Sequence, residues 1–305
     1  MSAGQRGVAI VLAMGVVAMA AIAATAMMFT QSTWSREAEL TAGHVQAQAL
    51  TQAGVDWSRA VLSFDRRSNN VDHLGEPWAL RLAPMPVENG ELAGYIEDQQ
   101  ARFNLNNLVK DGKVNPVQLA IFQRLLSVLG LPMALAGTLV DWIDADSEPQ
   151  PQGGAEDETY LALQPPYLAA NRPLIDVAEL ALVSGFDDAV RARLRAFVTA
   201  LPTFTAVNVN TASPEILAAV VEGLSLDGAR ELVAKRERTY FGSIGDFFSQ
   251  IPSGLSVPND NVSVSSDYFM ATLRVSIAGA QARGVVLLAR DNTGNWPVIV
   301  WRKTL

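Results

Sequence analysis

The stretch "DWIDADSEPQPQGGAEDETY" is the chemically richest part of the chain. Asp141 and Asp144 stand three apart, so on a helix they share a face. Asp146 follows where that helix should end, and Glu156, Asp157 and Glu158 come after a Pro/Gln/Gly loop. Such a loop can fold the second acidic group back on the first. Carboxylates brought that close repel unless a cation sits between them: a pair about 4 Å apart costs about 4 kcal/mol at an effective dielectric of about 20. An all-oxygen set suits Ca²⁺, which takes about six to eight oxygens at about 2.3–2.6 Å. No His or Cys lies near, which argues against zinc and copper. The spacing is not that of an EF-hand, so a solvated acidic loop stands as the other reading. Asp141, Asp144, Asp146, Glu156 and Asp157 are the ligand candidates.

Little else in the chain offers chemistry. Cysteine is absent from the 305 residues, which excludes disulfides, thiolate zinc sites and cysteine nucleophiles together. The two histidines, His44 and His73, are far apart and read as surface or turn residues. There is no Gly-x-Ser-x-Gly, no HExxH and no P-loop. Asp141 and Asp144 could mimic a general acid/base pair, but no substrate pocket is indicated beside them, so an enzyme is not expected. The formal net charge of −8 makes a poor non-specific nucleic-acid binder, because phosphate binding needs clustered Lys and Arg.

The acidic stretch must be positioned by a scaffold, and that scaffold begins with a long apolar run. No charge occurs between Arg6 and Arg36, and Val8 to Thr30 can cross a hydrocarbon core of about 30 Å. "AIAATA" could serve as a signal cleavage site, but the run is longer than an ordinary signal core. It also continues as a helix. Ala38, Ala42, Val45, Ala49, Ala53, Trp57, Val61 and Phe64 fall three or four apart, and this spacing predicts one apolar face packed on a soluble domain. No proline interrupts Val8 to Phe64, which predicts one helix about 80 Å long. Asn89-Gly90 then predicts a tight hairpin between 79–87 and 91–99. "PVQLAIFQRLLSVLG", "MALAGTLVDWIDAD", "DVAELALVSG", "DDAVRARLRAFVTAL", "NTASPEILAAVV", "LDGARELVAKRERTY" and "GSIGDFFSQI" read as short helices, with Asn210 or Thr211 as the cap before Pro214. "SDYFMATLRVSIAG", "ARGVVLLAR" and "WPVIVWRK" read as strands, the last two joined by a turn at "DNTGN". Strands therefore open and close the soluble part, and a helical block of about 150 residues is inserted between them.

Arg6-Gly7 before an apolar helix resembles a type IV prepilin leader, cut after the glycine. Most members of that family carry a glutamate at the fifth mature position; here that position is Leu12. The protein K family of type II secretion minor pseudopilins lacks that glutamate, and "GEPWA" and "DQQARFNLNNL" are similar to it. The resemblance covers essentially the whole chain. It implies an α+β fold, a long N-terminal helix on an antiparallel sheet with a large helical domain of SAM or helix-hairpin-helix type inserted. The implied divisions are a leader at 1–7, a membrane part of the helix at 8–30 and its soluble part at 31–65. First strands at 66–102, helical domains at 103–205 and 206–262, and final strands at 263–305 complete the chain. It implies cleavage between Gly7 and Val8 by prepilin peptidase and N-methylation of Val8. It also implies Ca²⁺ in the acidic region, which favours the cation over the solvated loop. The implied partners are minor pseudopilins I and J, the major pseudopilin and inner-membrane lipid, with the C-terminal part in the periplasm of a Gram-negative bacterium.

Two other classes compete with this tip subunit of a secretion pseudopilus. "VNVNTASPEILAAVVEGLSLDGARELVAKRE" resembles a helix-hairpin-helix, and a membrane-anchored DNA receptor is the alternative reading. Gly223 and Gly228 are spread apart, however, and Glu222 and Asp227 would repel phosphate, so packing rather than DNA binding is expected. A signal-anchored hydrolase using the carboxylates is the third class.

Overall fold

The computed structural model describes residues 3–255, 257–277, 279–291 and 295–304. A single helix, α1 (Ala3–Ser68), runs for 66 residues, about 100 Å at 1.5 Å per residue. Its soluble half lies across a five-stranded sheet in the order β1 (Leu82–Val87), β2 (Gly90–Asp98), β3 (Tyr268–Ile277), β4 (Ala280–Ala289) and β5 (Val298–Thr304). Every pairing in it is antiparallel. Phe269, Ala271, Leu273, Val286 and Leu288 line the face that meets Val55 and Leu62 of α1. This is the α+β arrangement the sequence leads one to expect.

Three sequence-based expectations need correction here. The stripe from Ala38 to Phe64 does not face the sheet: Ala38, Ala42, Val45, Ala49, Ala53, Trp57 and Phe64 are exposed and Val61 is half-buried. The sheet instead meets Gly43, Ala47, Thr51, Gly54, Val55, Ser58 and Leu62, on roughly the opposite side of a helix with about 3.6 residues per turn. The cause is close approach. Thr51 Cγ2 lies 2.6 Å from where a Cβ on Gly284 would stand, so a larger residue would not fit between helix and sheet. Small and polar residues take the buried face, and apolarity alone does not mark it. The hairpin turn is Glu88-Asn89, with Asn89 at φ 61°, and Gly90 already pairs with Val87. Gly90 is needed for packing, because a Cβ there would stand 1.9 Å from the Ser276 carbonyl oxygen. The cap before Pro214 is Ser213. Asn210 is used elsewhere, accepting from the Phe241 N–H at 2.8 Å, and Thr211 donates to Asp98. Part of the "DNTGN" turn lies outside the described residues.

Between β2 and β3 the chain builds a helical block with its own core. Its helices are α2 (Pro116–Val128), α3 (Leu135–Ile143), α4 (Asp157–Leu161), α5 (Asp188–Leu194), α6 (Pro214–Val220), α7 (Leu226–Arg238) and α8 (Ile244–Gln250). Proline at the first turn starts α2, and Ile121, Phe122, Leu125 and Leu126 bury its inner face. "DVAELALVSG" forms a 3₁₀ turn over Val177–Leu182, closed by a capping box of Asp176 and Glu179.

The block joins the sheet through buried charge. Arg290 ion-pairs with Asp65 at 2.8 Å and with Asp72, and its Nε donates to the Ser266 carbonyl at 3.0 Å. The Ser266 hydroxyl donates to Asp98 at 2.7 Å. Asp98 also accepts from Thr211 at 2.6 Å and from Asn208 at 3.1 Å. The end of α1, the exit and return of the inserted block, and the block itself thus meet at one point. That point is the end of α1 farthest from its apolar half.

The face assignment is testable by unfolding. Leu62→Ala should cost about 2–5 kcal/mol as a cavity in the helix–sheet seam. Val45→Ala should change stability by no more than about 0.5 kcal/mol. A larger loss from Val45→Ala than from Leu62→Ala in chemical denaturation would put the helix on the sheet by its other face.

Candidate functional site

The acidic loop is organised around α3, every residue of which is buried. Asp144 is its C-cap, with ψ 173° turning the chain out, while its N–H still bonds the Val140 carbonyl at 2.8 Å. The loop returns against the same helix. Gly137 permits the contact, because a Cβ there would stand 2.0 Å from the Gln152 carbonyl oxygen. Gly153 adopts φ +78°, and its carbonyl accepts from Thr138 Oγ1 at 2.6 Å. Glu156 is carried back to Asp144 in this way.

The five candidate ligands divide. Carboxylate oxygens of Asp144, Asp146 and Glu156 lie within 4.8 Å of one another. Asp144 and Glu156 are buried, and none of their four side-chain oxygens has a hydrogen-bond donor. Asp146 is exposed and accepts from the Glu148 N–H at 3.0 Å. Asp141 acts differently, accepting from the Ala155 N–H at 2.6 Å and the Gln150 N–H at 3.1 Å. It clamps the two sides of the loop. Asp157 heads α4 and accepts from the Ala169 N–H at 2.9 Å, and it is not one of the three carboxylates that converge. Sequence spacing could not separate these roles, since both depend on where the backbone N–H groups of the return loop fall.

A second acidic trio, not singled out from the sequence, serves as a control. Asp65, Asp72 and Glu76 also approach within 4.8 Å of one another. There Arg290 supplies the positive charge. Glu76 accepts from Trp78 Nε1 at 2.7 Å, from Asn69 at 2.7 Å and from the His73 N–H at 2.9 Å. A stable fold answers clustered carboxylates with donors. Among the described residues, Asp144 and Glu156 have none. Trp142, on the same helix, packs against Tyr160 at 4.9 Å between ring centres, and Tyr167 against Tyr160 at 5.5 Å.

The N-terminal candidates lie on α1, which runs through Gly7 and Val8. Leu12 is exposed, as is nearly all of the apolar half. This stretch is long and apolar enough to cross a membrane.

A membrane-length helix laid on an antiparallel sheet with a helical block inserted defines a pilin-like subunit. Two family models, both described as type II secretion system protein K, match residues 101–203 and 207–265. The protein K of Pseudomonas aeruginosa is 37% identical over 96% of this chain and 91% of its own length. That of Klebsiella pneumoniae is 34% identical over 94% and 93%. A chain of the solved GspK-GspI-GspJ complex from enterotoxigenic Escherichia coli superimposes with a TM-score of 0.74 at 27% identity, covering 90% of this chain and 98% of that one. The chain belongs to the type II secretion system protein K family, the minor pseudopilins of that machinery. The DNA-binding alternative finds no support in these relatives.

The electrostatics of the cluster give a pH signature. Burial, then the charges of Asp141, Asp144 and Asp146, pushes Glu156 up to about 7. Burial and the neighbouring Asp146 push Asp144 up to about 6. Groups that hold protons more tightly folded than unfolded stabilise at low pH, and that contribution is lost as pH rises through the folded value. In chelator, the melting midpoint should therefore fall as pH rises from about 5 to about 8, and Glu156→Gln should flatten the fall. A midpoint rising over that range in the parent chain would contradict the buried, donorless cluster.

Proposed function

We propose that this chain caps the tip of the secretion pseudopilus, anchored once in the inner membrane with its sheet and helical block in the periplasm of a Gram-negative bacterium. The observation that carries this is the site of the insertion. The helical block leaves the sheet at Asp98 and returns at Ser266, beside the end of α1 farthest from the apolar span. Bulk placed there stands above the stalk and would block another subunit from stacking on it. The role is structural. The solved relative assembles with GspI and GspJ, and minor pseudopilins I and J are the partners in this reading, with the major pseudopilin below them. Arg6-Gly7 is the leader end for prepilin peptidase, and Val8 becomes the methylated N-terminus. Leu12 offers no carboxylate to a neighbouring N-terminus, whereas the Val8 amine remains available, which suits a subunit with neighbours on one side only.

Processing is checked by mass spectrometry of the purified chain. It should begin at Val8, and Gly7→Phe should leave the leader in place. A chain beginning near Ala26 would point to ordinary signal cleavage.

Calcium is the second part of the proposal. Asp144, Asp146 and Glu156 would hold it, with Asp141 orienting the loop and Asp157 outside the ligand set. The support is the contrast between the two acidic trios: one has a guanidinium among its oxygens, and the other has four buried oxygens with no donor. Bound Ca²⁺ neutralises the repulsion and ties the loop to α3, so binding registers as folding stability. Ca²⁺ should raise the melting midpoint and Mg²⁺ should do so poorly, because it keeps its waters and demands octahedral geometry. Asp144→Asn and Glu156→Gln should abolish the shift, and Asp157→Asn should keep it. An unchanged midpoint with Ca²⁺, Mg²⁺ and chelator would make the loop a solvated acidic surface.

A further inference from the structure

The face of the sheet turned from α1 meets the helical block across a cleft of about 470 Å³. That volume falls within the range of about 300–1,000 Å³ in which small ligands bind, and the seam between two folded units is a usual place for such a site. Strand alternation sets the sheet side of the cleft. Phe269, Ala271, Val286 and Leu288 face α1, so Met270, Leu287 and Trp301, paired with one another across β3, β4 and β5, line the cleft instead. Leu180 and Val198 come from the block; with Leu287 they are each 1% exposed and make an apolar floor. Around that floor stand Arg102, Arg191 and Arg195 with Asp176 and Asp188. Their charges do not cancel. Asp176 is held by Lys303, Asp188 by Arg191, and Arg102 reaches Glu97 at 3.6 Å. Arg195 is exposed and, among the described residues, makes no hydrogen bond or ion pair. A second donor is unmatched too. Nε1 of half-buried Trp301 is shut off from solvent and has no acceptor, although a buried indole N–H usually finds one.

We propose that this cleft binds a monocarboxylate with a short apolar body, its carboxylate on Arg195 and its hydrocarbon over Leu180, Leu287 and the Trp301 ring. The unmatched N–H of Trp301 is the second donor on offer. A guanidinium fits the planar, two-oxygen shape of a carboxylate. The rim selects the charge: Asp176 and Asp188 each add repulsion for a ligand with more than one negative charge, which sets phosphate and dicarboxylates aside. The floor selects the body, because acetate alone would leave its apolar surface against water. Two sources carry this chemistry, the C-terminal residue of a peptide and a free short-chain acid. A ligand so placed touches the end of α5 and strand β5 at once, so occupancy ties the block to the sheet. The inference stands apart from the tip and calcium assignments.

Trp301 reports occupancy. The full-length chain, labelled with ¹⁵N at its tryptophans and held in detergent micelles, gives an indole N–H resonance for Trp301 that Trp301→Phe identifies by its loss. N-acetyl-leucine stands for a peptide end and 4-methylpentanoate for a free acid. At least one of the two is expected to move the Trp301 resonance saturably, and the tighter of them names the source. N-acetyl-leucinamide, which lacks the charge, and inorganic phosphate are expected to leave it in place. Arg195→Gln should weaken binding about tenfold, the loss of one charge-assisted hydrogen bond, with the melting midpoint kept. Arg238→Gln, at the exposed end of α7 and outside the cleft, should not weaken it. Neither carboxylate moving the resonance overturns the proposal, as does an equal response to the amide or to phosphate. Binding unchanged by Arg195→Gln, or weakened equally by Arg238→Gln, overturns it as well.

Discussion

Arg290 holds the molecule together at the one place where its parts meet. Its guanidinium is 2% exposed and bridges Asp65 at the end of α1 to Asp72 in the segment after it. Its backbone continues β4, and its Nε reaches the Ser266 carbonyl, where the inserted block returns to the sheet. Ser266 passes the connection to Asp98, and Asp98 to Asn208 and Thr211 within the block. Removing one partner from a buried pair of this kind costs about 3–5 kcal/mol, because the charge left behind has no solvent. Burial raises Asp65 to about 7 and Asp98 to about 6, so ionising these groups works against the fold, and the guanidinium and hydroxyl donors are what permit it. The direction in which the helical block points relative to α1 is set at this joint.

The two acidic clusters show the same constraint met in two ways. Near Arg290, clustered carboxylates are held by donors within the chain. In the loop after α3, the backbone brings Asp144, Asp146 and Glu156 together and supplies donors to Asp141 rather than to the buried pair. A cation from outside completes the second cluster in our reading. Stability of the cap would then depend on the surroundings, while the joint depends on the sequence alone. A chain without a single cysteine has no disulfide to staple its loops, and in our reading a metal ion between loop and helix would serve the same end.

The long helix, the closing strands and the inserted helices are legible in the sequence, because each rests on local periodicity or on proline and glycine placement. The sheet-facing side of α1 was not. Gly43, Ala47, Thr51, Gly54 and Ser58 are chosen for size, and a search for apolar spacing finds the outer face instead. The acidic loop was legible as a cluster and not as a site. Asp141 and Asp144 share a helix face, yet one meets backbone N–H groups and the other meets none, a distinction made by the path of residues 150–155. Arg290 was not legible at all, being 225 and 218 residues from the carboxylates it serves.

The central claim is positional: the helical block crowns the stalk, and one copy of the chain ends the fibre. Electron microscopy of assembled pseudopili, with a gold-binding tag inserted at exposed Ser147 in the acidic loop, measures that position directly. Gold is expected at a single end of each fibre. Gold spaced at intervals along the fibre would contradict the claim.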